Sequence, residues 1–154
     1  NFLVRRIHTL ATTDKLTGAY NRHTWDALLE NELKYAQRYN VPLCFIILDL
    51  DYFKVINDEF GHLHGDQVLI QTAEGIKNIL RSSDVFARWG GDEFVLALRN
   101  CEIEEAHQLI EHLKNQLQGV IQFTVGIAQN SDSDTIENII HRADTELLSL
   151  KSAR

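Results

Sequence analysis

Six consecutive apolar residues, Leu43 to Leu48, stand between Pro42 and the acidic pair of Asp49, Leu50, Asp51. The run is too short for a buried helix and does not alternate as a half-exposed strand does, so it reads as a strand buried on both faces. Such a strand belongs at the centre of a covered sheet, and the flanking sequence supplies the covers. Trp25, Leu28, Leu29, Glu32, Leu33 and Ala36 recur at helical spacing, and Pro42 ends that helix. After a loop containing Gly61 and Gly65, a second helix runs along Val68, Leu69, Ala73, Ile76 and Leu80, and Ile103, Ala106, Ile110, Leu113 and Leu117 mark a third. Val85 to Trp89 and Phe94 to Leu98 form a hairpin about Gly90 and Gly91, and Ile121 to Ala128 is a further strand. Asp134 with Glu137 resembles a capping box opening a last helix through Ile136, Ile140, Ala143 and Leu147. This order predicts an α+β, ferredoxin-like split βαβ fold, with a central, mainly antiparallel sheet flanked by helices.

At 154 residues and 44% apolar composition the chain suits one domain with a real core. Its formal net charge of −7 argues against a nucleic-acid polymer or an anionic membrane as partner, because both are held by clustered Lys and Arg. A mononucleotide escorted by cations is compatible with that charge. Cys44 and Cys101 have no framework spacing and read as reduced thiols in a cytoplasmic setting. Phe2, Leu3, Ile7 and Leu10 have helical spacing without a cap, so residues 1–13 read as the end of a signalling or linker helix and residues 14–154 as the domain proper.

The acidic residues carry the chemistry. Gly90-Gly91 is expected to form a tight turn with positive φ, holding Asp92 and Glu93 at a sheet edge. Asp49 sits where the buried strand emerges, and Asp51, two residues on, faces the same side. Carboxylates from the two neighbouring segments would converge on a hard divalent cation; taken alone, the Asp-x-Asp is also an ordinary polar strand end. Lys54 offers a point charge for phosphate. Asn57 and Asp66 provide an amide and an acceptor-only carboxylate, a pair able to read the edge of guanine; the plainer alternative makes Asn57 and Asp58 turn formers and Asp66 a helix cap. His62 and His64 lack partners at transition-metal spacing, and the chain has no Gly-rich phosphate loop of the Walker or dinucleotide type.

Taken together, these residues resemble the GGDEF diguanylate cyclase family. The likeness rests on Asp14, Leu16, Thr17, Gly18, Asn21, Arg22, on Asp49, Asp51, Phe53, Lys54, Asn57, Asp58, Gly61, His62, Gly65, Asp66, and on Arg88 with Gly90 to Phe94. Thr124 to Ala128, Ala143, Asp144 and Lys151 extend it. The resemblance implies a nucleotidyl-cyclase, palm-like fold and the Mg2+-dependent condensation of two GTP into cyclic di-GMP, with Mn2+ as a substitute ion. It implies Asp49, the carbonyl of Leu50, Asp92 and Glu93 as metal ligands. Asp92 is the candidate base, assisted by Glu93 and Lys54. Asn57 and Asp66 would hold guanine, His62 would line the pocket, and Tyr52, Phe53, Lys54 and Lys151 would hold the triphosphate.

Because one domain holds one GTP, the resemblance also implies a homodimer, set by an upstream sensor domain in a protein with or without a membrane anchor. Arg81 and Asp84, an RxxD pair, match the family's inhibitory site for its product, with Arg88 on the opposite flank. The alternative implied by the same family is a weakly active or inactive receptor for GTP or cyclic di-GMP. Ser152, Ala153 and Arg154 depart from the Gly-Arg-Asn common after the last-helix Lys, which predicts weakened triphosphate affinity.

Overall fold

The computed structural model describes Leu3 and residues 11–153. The expected N-terminal helix lies, apart from Leu3 and residues 11–13, outside the described residues, as does Arg154. The strands are β1 (Tyr20–Asn21), β2 (Leu43–Leu50), β3 (Val85–Gly90), β4 (Glu93–Arg99) and β5 (Phe123–Gln129), and the helices are α1 (Arg22–Tyr39), α2 (Phe53–Phe60), α3 (His62–Ile79), α4 (Ile103–Gln116) and α5 (Ile136–Ser152). They form one sheet of order β1-β3-β4-β2-β5. Only the short β1 pairs in parallel, with β3; the other pairings are antiparallel. The fold is the expected α+β sandwich with the apolar run near its middle.

Every residue of β2 is buried, and its alternation sorts the core into two layers. Cys44, Ile46, Leu48 and Leu50 pack with Val68, Leu69 and Ile76 of α3 and with Ala106, Ile110 and Leu113 of α4. Leu43, Phe45 and Ile47 pack on the other face with Trp25, Leu29 and Leu33 of α1 and with Ile139, Ala143 and Leu147 of α5. The same parity sends Asp49 to the α1/α5 face. Cys44 and Cys101 are both free and buried. Among the described residues, no helix is long and apolar enough to cross a membrane.

Three local expectations change. The stretch through Gly61 and Gly65 is not a loop: α2 and α3 are separated by Gly61 alone, whose φ of 89° breaks the helix. Gly65 lies inside α3, where a Cβ would come within 1.7 Å of Asn57 Oδ1; the glycine permits close approach of α2. Neither Gly90 nor Gly91 has positive φ. A register shift between Arg88 and Gly90 re-aims the strand, and a Cβ on Gly90 would stand 3.1 Å from Glu93 Oε1, so this glycine makes room for a carboxylate. Finally, Thr135, not Asp134, caps α5 by accepting from the Asn138 amide, because Asp134 is committed to Arg142 and the Ser131 amide. The capping box belongs to α4, between Glu102 and Glu105.

Candidate active site

Register brings the acids together. Asp49 of β2 lies opposite Glu93 of β4 and Thr124 of β5, and directly opposed residues of antiparallel strands point to one face. The Leu50 amide donates to the Asp92 carbonyl at 3.0 Å, which seats the hairpin turn beside the end of β2. Asp51 continues on the same side: its carboxylate accepts from the Thr124 hydroxyl at 2.8 Å, and its amide donates to the Gln122 carbonyl at 2.9 Å.

Asp49 is buried, and its carboxylate is ion-paired with the Lys151 ammonium from α5. Burial pushes its pKa above the usual carboxylate range, the Lys151 ammonium opposes the rise, and Asp92 and Asp51 add to it by repulsion. Glu93 is raised for similar reasons: burial first, then the charges of Asp49 and Asp92, with Asp144 of α5 contributing and Lys151 opposing. Asp144 was given no role from sequence; its spacing of seven residues from Lys151, two helical turns, is the signal that places both on one face. The cluster therefore concentrates more negative charge than one ammonium offsets.

Among the described residues, no three His, Cys, Asp or Glu side chains converge as a ready-made metal cage. The donor chemistry nevertheless suits a hard cation. It consists of oxygens only, part of the expected set is the Leu50 backbone carbonyl, and both Asp49 and Glu93 are held in mutual repulsion that a divalent charge would relieve.

The expected nucleotide residues follow directly from the end of β2. Tyr52 turns the chain into α2 through a left-handed conformation, φ 54°, which is costly for an aromatic residue. Phe53 is buried and anchors α2, whereas Tyr52, Lys54 and His62 are exposed. Asn57 is half-buried, and its Oδ1 is one of the buried polar atoms without a hydrogen-bond partner; Asp66 follows Gly65, the residue packed against that amide. A cleft of about 660 Å3 borders Asp51, Tyr52 and Ile56 on the side of the α4–β5 connection.

The RxxD pair lies at the other end of β3. Asp84 is buried, with its oxygens accepting from the amides of Arg81 (2.9 Å) and Arg99 (3.1 Å) and from the Arg81 guanidinium (3.3 Å). Arg81 is half exposed and also donates to the Arg99 carbonyl. Arg88 is not beside it. Its guanidinium reaches the Asp14 carboxylate and the Gly91 carbonyl at the hairpin end of the sheet.

Comparison with known proteins places these features in context. The family model described as diguanylate cyclase, GGDEF domain, matches residues 11–154. Diguanylate cyclase DgcP of Pseudomonas aeruginosa is 37% identical over 153 residues, covering 93% of this chain and 23% of that protein. Probable diguanylate cyclase DgcC of Escherichia coli is 33% identical over 159 residues, covering 97% of this chain and 43% of that protein. This chain thus spans less than half of either relative. Among solved structures, the GGDEF domain of DgcB from Caulobacter crescentus in complex with c-di-GMP matches with a TM-score of 0.89 at 27% identity, covering 93% of this chain and 91% of that one. Diguanylate cyclase SiaD of Pseudomonas aeruginosa, in complex with its activator SiaC, matches with a TM-score of 0.88 at 29% identity, covering 98% of this chain and 62% of that one.

Proposed function

We propose, since the chain belongs to the GGDEF family of diguanylate cyclases, that it condenses two GTP molecules into cyclic di-GMP with release of two pyrophosphates. The observation that carries this reading is the meeting of Asp49 and Glu93 across the β2–β4 ladder, with the Asp92 turn bonded to Leu50. Asp49, the Leu50 carbonyl, Asp92 and Glu93 would hold Mg2+, or Mn2+ in its place. When bound, such a cation polarises the phosphate and neutralises charge on the leaving pyrophosphate. Asp92 accepts the proton of the attacking 3′-hydroxyl, with Glu93 supporting it, as the new ester bond to the α-phosphorus forms and the bond to pyrophosphate breaks.

Asn57 and Asp66 read the guanine edge, with His62 at its rim, and Tyr52 and Phe53 start α2 at the phosphates. Lys54 meets the phosphates as an exposed ammonium, and Lys151 exchanges its contact with Asp49 for one with the triphosphate. Two copies face each other, each bringing one GTP, and an upstream sensor domain sets their approach in the cytoplasm. Arg81, held by Asp84, presents its half-exposed guanidinium to the product as an inhibitory contact. Arg88 was expected on the far flank of that site, and its engagement with Asp14 leaves Arg81 as the leading contact.

One observation favours a second reading, a weakly active GTP or cyclic di-GMP receptor: the Lys151 ammonium sits on Asp49, one of the expected metal ligands. Incubation with GTP and Mg2+ at several protein concentrations separates the two. The cyclase reading expects pyrophosphate and cyclic di-GMP at a specific rate that rises with concentration, and loss of both in Asp92→Ala. GTP binding without product would establish the receptor, and an Asp92→Ala variant of normal rate would remove Asp92 from its role.

A further inference from the structure

The Asp14 to Thr17 entry has no task in the chemistry above, yet it is tied to the catalytic hairpin. The Asp14 carboxylate accepts from the Thr17 amide at 3.0 Å and the Thr17 hydroxyl at 2.8 Å. The Asp14 amide donates to the Ala19 carbonyl at 2.7 Å, and the Asp14 carbonyl accepts from the Gly18 amide at 2.9 Å, so the loop is closed on itself. Lys77 of α3 adds a bond to the Thr17 carbonyl at 3.4 Å. From this rigid loop Asp14 grips Arg88 Nη1 with both oxygens at 3.3 Å, across 74 positions of sequence. Arg88 Nη2 then donates to the Gly91 carbonyl at 2.9 Å. The pair is about four-fifths buried, with side chains 20% and 22% exposed.

The turn needs such a hold. Gly91 is exposed, and a Cβ there would meet nothing within 4 Å, so side-chain packing does not position it. Besides the Gly90–Glu93 pairing of the β3–β4 ladder that closes it, the turn is held by the Arg88 bond to Gly91 and the Leu50 bond to Asp92. The register of β3 against β4 shifts between Arg88 and Gly90, so the ladder is irregular where this guanidinium reaches the turn. Both nitrogens of a planar fork are used, and a lysine ammonium cannot span the two acceptors in the same geometry.

We infer that Arg88 is a positioning residue that locks the turn carrying Asp92 to the Asp14 entry loop, so that the loop and the catalytic turn move as one body. Its catalytic consequence rests on the proposed cyclase reading; its structural consequence does not. A displacement of about 1 Å at a reacting group costs on the order of 100-fold in rate, so the link is worth building.

The test uses the whole chain with Arg88→Ala, Arg88→Lys, Asp14→Asn and the Asp14→Asn/Arg88→Ala double variant. The Leu50 amide, bonded to the Asp92 carbonyl, reports opening of the turn by hydrogen exchange, and the Ile46 amide in the middle of β2 reports the sheet. In Arg88→Ala the expected result is Leu50 exchange about tenfold faster with Ile46 unchanged, an intermediate effect in Arg88→Lys, and no further loss in the double variant. In GTP turnover, kcat falls about 10- to 100-fold in Arg88→Ala while KM stays within about twofold. If Arg88→Ala does not fold, Asp14→Asn carries the same comparison. Leu50 exchange equal to that of the unaltered chain overturns the inference, as does an additive double variant. If the unaltered chain makes no cyclic di-GMP, the cyclase reading fails while the exchange comparison still decides the role of Arg88.

Discussion

Substituting Gly126 by Ala tests the seat of α5 on the sheet. Gly126 of β5 lies opposite Ile47 of the buried strand, and a Cβ placed on it would stand 1.9 Å from the Ala143 carbonyl oxygen and 2.9 Å from the Leu147 amide nitrogen. Ordinary contact begins near 3.4 Å, so α5 has to retreat by about 1.5 Å, and the obstacle is backbone that cannot rotate away. In an unconstrained strand the same change would help by about 0.5–1 kcal/mol, because alanine loses less backbone entropy. Here overpacking dominates at the upper end of its usual range, about 3 kcal/mol, since Ile139, Ala143 and Leu147 are all drawn off the core together. For a domain of this size that is a drop in Tm of about 6–12 °C. Ala143, Leu147 and Lys151 share one helical face at spacings of four, so the retreat also withdraws the ammonium from Asp49. Thermal unfolding followed by circular dichroism measures the first effect, and a change of less than about 2 °C would refute the claim that backbone contact at Gly126 seats the helix.

Three further outcomes are expected. Gly65→Ala places a Cβ on the Asn57 amide, which can rotate aside; stability should change by less than about 1 kcal/mol while GTP affinity drops about tenfold, and unchanged affinity in calorimetry would separate Asn57 from base recognition. Asp134 is held below the usual carboxylate range by the Arg142 guanidinium, against the opposing effect of burial and with help from the Ser131 amide. Its folded-state pKa lies below the unfolded 3.8, so its stabilisation is complete well above 3.8 and disappears as pH falls through the folded value. The urea midpoint of the unaltered chain should therefore exceed that of Asp134→Asn equally at pH 7 and pH 6, and the gap should shrink as the pH is taken below 3.8; a gap that widens in acid would contradict the assignment. Arg81→Ala removes the exposed half of the RxxD pair, so inhibition by added cyclic di-GMP should weaken about tenfold or more, and an unchanged inhibition curve would exclude that contact.

Much of this molecule was legible in its sequence because the relevant signals are local. The run Leu43 to Leu48 announced a strand covered on both faces, and the helical stripes around Leu29, Ile76, Ile110 and Ala143 announced the covers. Asp49, Asp92 and Glu93 could be singled out because strand ends and turns are where rigid carboxylates are found. The helical nature of residues 53–60 was hidden: its one punctuation mark is Gly61, and Gly65, which looked like loop, is a packing residue whose reason lies on the facing helix. The Gly90-Gly91 pair misled for the same cause, since its first glycine serves the Glu93 carboxylate and neither takes positive φ.

What composition and periodicity determined is therefore which segments are buried and which end of the central strand carries the acids; which helix covers which face came with the structure. What only the tertiary structure decided is pairing at long range. Lys151 meets Asp49 across 102 positions and Arg88 meets Asp14 across 74, and both contacts depend on strand register and on how closely a helix backbone sits on its sheet. A two- or 3.6-residue period repeats within one element, and its phase says nothing about the axial offset between two of them. That offset is set when side chains such as Ile139 and Leu147 close over Gly126, and the charges at the site take their partners from it.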